Sequence, residues 1–177
     1  MRNLTIKQVA LAGVLIALGL VLPMLTVQIP VLGQRLLPMH LPVLLGGFVL
    51  GAPLAGLVGF ILPILRSILF GMPPFFPTAV AMSFELWTYG FLAGWFYRHL
   101  PRKNAFIYVN LILAMIGGRL VWGMVSFILY GLAGTTFTWG LFVSSAFWVA
   151  MPGIVIQIIL IPAIVIAVRD SKKGRRA

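Results

Sequence analysis

Long apolar runs, almost free of charge and separated by short breaks, are the feature that most constrains how this chain can fold. A helix needs about 20 apolar residues to cross the hydrocarbon core of a bilayer. The pattern predicts an all-α membrane protein, a bundle of six transmembrane helices that forms a single integral membrane domain over residues 1–177. The expected spans are 4–22, 39–51, 53–70, 78–97, 105–130 and 142–168, followed by a basic tail at 169–177.

Prolines and glycines define the breaks between these spans. Pro23 is expected to end the first helix, and the proline-rich stretch 71–77 is expected to form a loop. Segment 39–51 is short, so it is expected to be tilted or irregular, or not to cross the bilayer alone at full thickness. Pro152 and Pro162 are expected to kink the last helix, which a helix bundle tolerates.

The composition excludes an ordinary soluble domain. Hydrophobic residues make up 62% of the chain and charged residues 8%, against about 25% charged in a typical soluble domain. The net charge of +11 could suggest nucleic-acid binding, but most of the cations lie at segment ends instead of forming one face. They are Arg2, Lys7, Arg98, Arg102, Lys103, Arg169, Lys172, Lys173, Arg175 and Arg176.

This charge pattern follows the positive-inside rule and predicts the orientation of the chain. Six crossings place both termini on one side, and the basic segment ends then all face the cytoplasm. The loops at 24–37, 71–77 and 131–141 would face outside, with Arg35 as their only charge. The first apolar run has no clear cleavage site, so a retained first helix is expected and not a signal peptide.

Glu85 is the most informative single residue, because it is one of two acidic residues and lies inside an apolar stretch. A carboxylate in hydrocarbon costs on the order of 3 kcal/mol by insertion scales, unless it faces the protein interior and is paired. The best candidate for its partner is Arg119, which is isolated in another apolar run. The other acid, Asp170, lies in the charged tail.

These residues suggest a ligand pocket that opens to the outside and has Glu85 and Arg119 at its floor. Arginine suits a carboxylate or phosphate because its planar fork binds two oxygens at once. Arg66 would contribute to the wall, and Trp122 and Tyr89 could supply aromatic surface. Trp122 follows Arg119 by three residues and therefore shares its helix face.

Structural interpretations of the same residues remain open. Glu85 and Arg119 could form an ion pair that only joins two helices, since such pairs persist without binding anything. Arg66 could extend to the outer membrane interface, and the aromatic residues could belong to interfacial belts or to the core. His40 is interpreted as a polar residue at the end of a loop.

Catalysis receives little support from the sequence. The chain has no cysteine, no second intramembrane carboxylate, no metal-binding pair, no Gly-x-Ser-x-Gly and no P-loop. We therefore expect no enzyme activity, no metal and no cofactor in this chain, with any energy supplied by partners. Two alternatives stay open, an intramembrane enzyme that uses Glu85 and a membrane scaffold subunit that binds no ligand.

Small residues recur at helical spacing and indicate close helix packing. Ala10, Gly13 and Ala17 share one face of the first helix, and a stripe of small residues four apart runs from Gly47 to Gly59. Either stripe could serve packing within the chain or docking of another membrane subunit. The first helix is the better candidate for docking, because a terminal helix more often has an outward face.

Four local patterns follow one another along the chain: HLPVLLGG at 40–47, FELWTYG at 84–90, GGRLVWG at 117–123 and MPGI at 151–154. Taken in this order, they resemble the substrate-binding S components of energy-coupling factor (ECF) vitamin transporters. The likeness covers nearly the whole chain in length, in six spans and in the small-residue face of the first helix. The order of these segments carries the resemblance, more than any one of them.

The resemblance implies a function and a set of partners. In that family an S component binds one micronutrient near the outer surface and docks on a shared membrane subunit that carries two cytoplasmic ATPases. ATP would then be hydrolysed by the partners, and the vitamin delivered by toppling of the whole S component. The family's docking face is an Ala-x-x-x-Ala pattern on the first helix, which Gly13 and Ala17 match here with glycine in the first place.

The resemblance also implies a multi-pass protein of the bacterial plasma membrane, in contact with lipid and not with nucleic acid. Known S components bind chemically diverse vitamins. The two internal arginines, Arg66 and Arg119, favour an anionic ligand such as pantothenate or a folate, unless Glu85 neutralises Arg119 completely.

Overall fold

The computed structural model describes residues 5–27, 35–101 and 103–174, and within these ranges the regular structure is entirely helical. Seven α-helices follow one another along the described chain, and two short segments with π-type turns, Phe75–Ala79 and Ser144–Val149, lie between them. The α-helices are α1 (Ile6–Val27), α2 (His40–Leu50), α3 (Ala52–Phe70), α4 (Val80–His99), α5 (Asn104–Leu132), α6 (Trp139–Val143) and α7 (Met151–Gly174).

Four of these helices, α1, α3, α5 and α7, are long and apolar enough to cross a membrane. Helix α2 has 11 residues and is therefore about 16 Å long at 1.5 Å per residue. Helix α4 has 20 residues but is less apolar, because it carries Ser83, Glu85 and Thr88. The predicted all-α class is confirmed, and the count of six crossings stays a prediction.

Helix α4 lies at the centre of the bundle, where it packs against α2, α3 and α5. Apolar side chains from these helices and from α7 meet in one core. Its fully buried members include Leu44, Leu62, Leu86, Leu111 and Ile161. Helix α1 packs on α2 and α3 through a smaller cluster around Leu15, so the centre of the protein is built around α4.

The first and last helices depart from the expected boundaries. Helix α1 continues through Pro23 to Val27, so the prediction that this proline ends the helix is wrong. Proline in a helix interior removes one backbone hydrogen bond, but the long apolar helix is otherwise continuous. The expected last helix is divided, since α6 and a π-helical segment precede Ala150 and α7 begins at Met151.

The proline-rich loop lies close to its expected extent. Residues 75–79 form one π-type turn that leads into α4, but Phe76 within it has an extended backbone, with φ −119° and ψ 134°, so residues 71–76 stay outside regular helix. The expectations for Arg2 and Arg102, for residues 28–34 of the first loop and for the end of the tail at 175–177 lie outside the described residues. Arg35 is described and exposed.

Glycines allow α2, α3 and α4 to approach one another at backbone distance. A Cβ atom built on Gly90 of α4 would overlap the carbonyl group of Ala55 in α3. One built on Gly59 of α3 would overlap the carbonyl group of Leu86, and Gly47 of α2 lies against Gly94. Close contact at small residues is a general means of helix association in membranes, and here it holds α4 in place.

Replacing Gly90 with alanine is therefore expected to destabilise the protein by about 1–3 kcal/mol, the usual cost of overpacking. The clash outweighs the gain of about 0.5–1 kcal/mol from a better helix former. Gly131→Ala is the matched control, because a Cβ there meets nothing within 4 Å. Unfolding of both variants in the same detergent micelles checks the prediction, and equal stability would contradict it.

Candidate functional site

The structure brings Glu85 and Arg119 together at the contact between α4 and α5. The Nη1 atom of Arg119 lies 3.1 Å from the Oε1 atom of Glu85. Both side chains are buried, with relative exposures of 1% for Glu85 and 6% for Arg119. An isolated buried charge is very costly, so each residue stabilises the charge of the other.

His40 and Tyr89 complete this buried cluster. His40 is the first residue of α2, and its Nε2 atom lies 3.5 Å from Oε1 of Glu85. Tyr89 follows Glu85 by one helical turn and packs edge-on against the imidazole, with ring centroids 5.5 Å apart. Both residues are buried. His40 is thus part of the cluster and not simply a polar residue at a loop end, as the sequence was interpreted.

Gly118 makes room for this arrangement. It precedes Arg119 in α5, and a Cβ atom built there would overlap the ring of Tyr89. The ring can therefore lie directly against the backbone of α5. A side chain at this position would push α4 and α5 apart where Glu85 and Arg119 meet, so Gly118 is required for the geometry of the pair.

One edge of the Arg119 guanidinium carries no partner. Among the described residues, its buried Nε and Nη2 atoms donate to no hydrogen-bond acceptor, whereas Nη1 lies near Glu85. Arg119 lines a cavity of about 190 Å³ between α5 and α7. The other lining residues are apolar and include Met115, Ile116, Phe147, Met151 and Ile154.

Arg66 lies apart from this cluster. It is buried, and its Nη1 atom donates a hydrogen bond of 2.8 Å to the carbonyl oxygen of Leu20 in α1. Its guanidinium lies 5.6 Å from the ring centroid of Phe70. Within the described chain, no hydrogen bond or ion pair connects it with Glu85 or Arg119. Its contacts join α3 to α1 near the proline of that helix.

Trp122 belongs to an aromatic group at the end of α5. It stacks with Phe142 at a centroid distance of 6.1 Å and meets Phe137 edge-on at 5.6 Å. Both partners also line a second cavity of about 500 Å³, which has no charged residue in its wall. Trp122 is in neither set of lining residues, although it shares a helix face with Arg119.

Residues 35–37, which precede α2, pack against α7. Gly153 lies so close to the carbonyl groups of Arg35 and Leu36 that a Cβ atom would clash with them. Buried Gln157 donates from Nε2 to the carbonyl oxygen of Leu37 at 3.4 Å. These contacts lead directly into His40, so α7 helps to fix the start of α2 beside Glu85.

The small residues of α1 form an outward surface. Ala10, Gly13 and Ala17 are all exposed, and a Cβ at Gly13 would meet nothing within 4 Å. The opposite side of the helix buries Ala12, Leu15 and Gly19 against α2 and α3. The stripe Ala10, Gly13 and Ala17, called the α1 face below, is therefore not used for packing within the described chain.

The cluster contains groups that can bind, but it lacks the parts of a metal or nucleophilic centre. In the described ranges no group of three His, Cys, Asp or Glu side chains is placed to hold a metal ion. Ser83 donates its hydroxyl proton to the carbonyl oxygen of Ala79. Unpaired N–H groups of an arginine are suited to recognise an acceptor group on a small molecule.

Breaking the pair by one substitution is expected to destabilise the protein strongly. Glu85→Gln or Arg119→Gln leaves one buried charge without its partner, which costs about 3–5 kcal/mol. The double variant is expected to lose much less than the sum of the two, because no charge is stranded. The free energies of unfolding of the wild type, the two single variants and the double variant, measured in mixed micelles, check this coupling.

Asp170→Asn is the control for removal of an acid, since Asp170 is exposed and its contact with Arg169 is 3.7 Å long. Exposed pairs contribute about 0–1 kcal/mol. Additive effects of Glu85→Gln and Arg119→Gln would contradict a coupled buried pair.

Comparison with known proteins identifies the family to which this arrangement belongs. No curated protein and no solved structure gave a significant match. A family model described as "ECF transporter, substrate-specific component" matches residues 7–168, which is most of the chain. The family consists of substrate-binding components of transporters and not of enzymes. The chain therefore belongs to the substrate-specific components of ECF transporters.

Proposed function

We propose that this protein is the S component of an ECF-type importer and binds a vitamin or related micronutrient from the outer side of the membrane. The observation that carries the proposal is that Arg119, which lines the cavity between α5 and α7, has two buried N–H groups, on Nε and Nη2, without a hydrogen-bond partner in the described chain. A purely structural ion pair does not require unpaired donors beside it. Glu85 lies against Nη1, and we propose that an acceptor group of the ligand pairs with the remaining donors.

The ligand site proposed here centres on Arg119 and Glu85, with Tyr89 and His40 beside them. The contacts of Arg119, Glu85 and Tyr89 with one another support the ligand site expected from the sequence. His40 is added to this site because it contacts Glu85. The contact of Arg66 with Leu20 supports a structural role in joining α3 to α1. The aromatic contacts of Trp122 support a role at the outer end of α5 and not at the ligand.

The proposed topology has six crossings, with both termini and the basic tail at 169–177 in the cytoplasm. In addition to the four long apolar helices, α4 and the short α2 would cross as parts of the bundle, shielded from lipid by their neighbours. The positive-inside distribution of Lys and Arg supports this orientation. The proposed location is the bacterial plasma membrane, with one integral domain.

Transport would be energised by partner subunits and would need no cofactor bound to this chain. The family match supports association with a shared transmembrane subunit and two cytoplasmic ATPases. Delivery would follow from movement of the whole S component against its partner, with the bound ligand carried inward.

Ligand binding is tested with the purified chain in detergent and a panel of vitamins that includes pantothenate and folate. Tryptophan fluorescence is expected to change saturably with one compound. Arg119→Lys, which keeps the charge but loses the planar fork, is expected to weaken that binding about tenfold or more. Saturable binding that is unchanged in Arg119→Lys would contradict the assigned site.

We also propose that the α1 face is the surface that docks on the transmembrane subunit. Its residues are small and exposed, and the helix presents them away from the bundle. Small residues on a membrane helix allow another helix to approach closely. The ligand cavity is bounded by α5 and α7 and not by α1, so docking and binding would use separate surfaces.

Ala17→Leu is expected to prevent co-purification with the transmembrane subunit and ATPases and to abolish uptake, while ligand affinity stays within about twofold. The larger side chain would keep the partner helix at a distance. Ala163→Leu is the matched control, because Ala163 is exposed on α7. Loss of ligand binding together with docking in Ala17→Leu would show that the two surfaces are not separate.

A further inference from the structure

We infer that an anionic phospholipid of the cytoplasmic leaflet binds in the groove between α5 and α7, with its phosphate at the basic end of these helices and an acyl chain along the apolar opening between them. The inference goes beyond the proposed function, because it concerns a lipid and not the transported ligand, and it uses the orientation proposed above. Three features carry it: the opening, the basic end, and the distance between the two.

The cavity between α5 and α7 is open on the side that would face lipid. Met115 and Arg119 form its buried side. Four of its lining side chains are exposed, and all four are apolar: Ile112, Ile116, Phe147 and Met151. Lipid tails are as apolar as leucine, so this opening accepts an acyl chain and not a polar molecule.

A polar contact joins the two helices at one end of the groove. Asn104 is the first residue of α5, and its side-chain oxygen accepts a hydrogen bond from Nη2 of Arg169 in α7. Lys103, which is exposed, immediately precedes Asn104. The contact therefore brings cationic residues of both helices to the same end of the groove.

The basic end and the opening lie on one continuous strip of each helix. Asn104, Tyr108 and Ile112 are four residues apart along α5 and share one face. Tyr108 is exposed, and tyrosine is enriched at the level of lipid headgroups. On α7, Ile158 lines the cavity and lies on the same face as Arg169, since about three helical turns separate them.

The distance from the basic end to the opening matches the depth of one leaflet. Along α5, Ile112 and Ile116 lie about 12 and 18 Å from Asn104 at 1.5 Å per residue. One leaflet supplies half of the hydrocarbon core, which is about 15 Å. A lipid with its phosphate beside Lys103 and Arg169 therefore extends its chain to these two isoleucines.

The charge at this end favours an anionic headgroup. Segments 98–103 and 169–176 contain three and five Lys and Arg residues, with Asp170 as their one acid. The first turn of α5 adds no acidic residue. Basic clusters at the cytoplasmic end of membrane helices attract anionic lipids, and arginine suits phosphate. A zwitterionic headgroup carries an ammonium of its own, which these cations repel.

Two lipids with the same chains, dioleoyl phosphatidylglycerol and dioleoyl phosphatidylcholine, test the headgroup site. Each is titrated into the purified full-length chain in maltoside micelles, and bound lipid is measured by native mass spectrometry. Phosphatidylglycerol is expected to bind about tenfold more tightly, because two cations contact its headgroup. Equal affinities for the two lipids would contradict the inference.

Lys103→Gln is expected to weaken phosphatidylglycerol binding about fivefold, the usual contribution of one cation at the membrane surface. Lys7→Gln is the matched control. Lys7 is also exposed and lies on the same side of the membrane in the proposed orientation, but on α1 and not at the groove. An equal loss in both variants would assign the preference to diffuse basic charge and overturn the site.

A tryptophan in the opening tests the position of the acyl chain. Ile112→Trp is expected to weaken phosphatidylglycerol binding about threefold or more, because the indole takes the space in which the chain makes its dispersion contacts. Leu113→Trp is the control, since Leu113 is exposed on the same helix but does not line the cavity. Equal weakening by both variants would show that the chain does not lie in the groove.

Two further measurements separate the lipid from other occupants. Glycerol phosphate, which has no acyl chain, is expected not to displace the lipid, and displacement would assign the site to a soluble phosphate. If Lys103→Gln reduced co-purification with the ATPases and left lipid binding unchanged, the basic end would dock a protein, and the inference would fail. Vitamin affinity is expected to be the same in Lys103→Gln and the wild type, so the vitamin titration decides the proposed function separately.

Discussion

The interaction on which the rest of the structure depends is the buried contact between Glu85 and Arg119. A carboxylate in this apolar chain is tolerated only where a cation lies within ion-pair distance, and the two are 3.1 Å apart. The contact fixes the rotation of α4 relative to α5, because both side chains must face each other. It also leaves Nε and Nη2 of the guanidinium without a hydrogen-bond partner among the described residues. One pair thus sets both the packing of the central helix and the orientation of Arg119.

That contact is possible because glycines occupy several of the positions where α4 meets its neighbours. Gly59 and Gly90 allow α3 and α4 to touch at their backbones, and Gly118 admits the ring of Tyr89 against α5. Without a hydrophobic driving force between helices in lipid, close packing and polar contacts have to hold the bundle together. The glycines allow the close packing, and the cluster around Glu85 provides the polar contacts. Mutations in either set would therefore disturb α4.

The sequence predicts the features that follow from its composition, such as the helical class and the pairing of rare charges. It does not predict contacts that depend on how the helices pack in three dimensions. The all-α class follows from the apolar runs, and the pairing of Glu85 with Arg119 was inferred because internal charges are so rare. His40 was missed, since a histidine after a loop resembles many exposed ones and only the packing of α2 on α4 buries it. The charge of Arg66 predicts a place beside Arg119, but its hydrogen-bond partner is the carbonyl oxygen of Leu20. This partner is a backbone group, so no sequence pattern identifies it. Pro23 predicts a helix end from its effect on the local backbone, but α1 continues through it to Val27.

The short helix α2 has an electrostatic consequence. At about 16 Å it reaches only half-way across a 30 Å hydrocarbon core, and its first residue, His40, touches the Glu85 carboxylate. By beginning beside Glu85, this short helix gives the carboxylate a second nitrogen neighbour, the imidazole of His40, in addition to the guanidinium of Arg119.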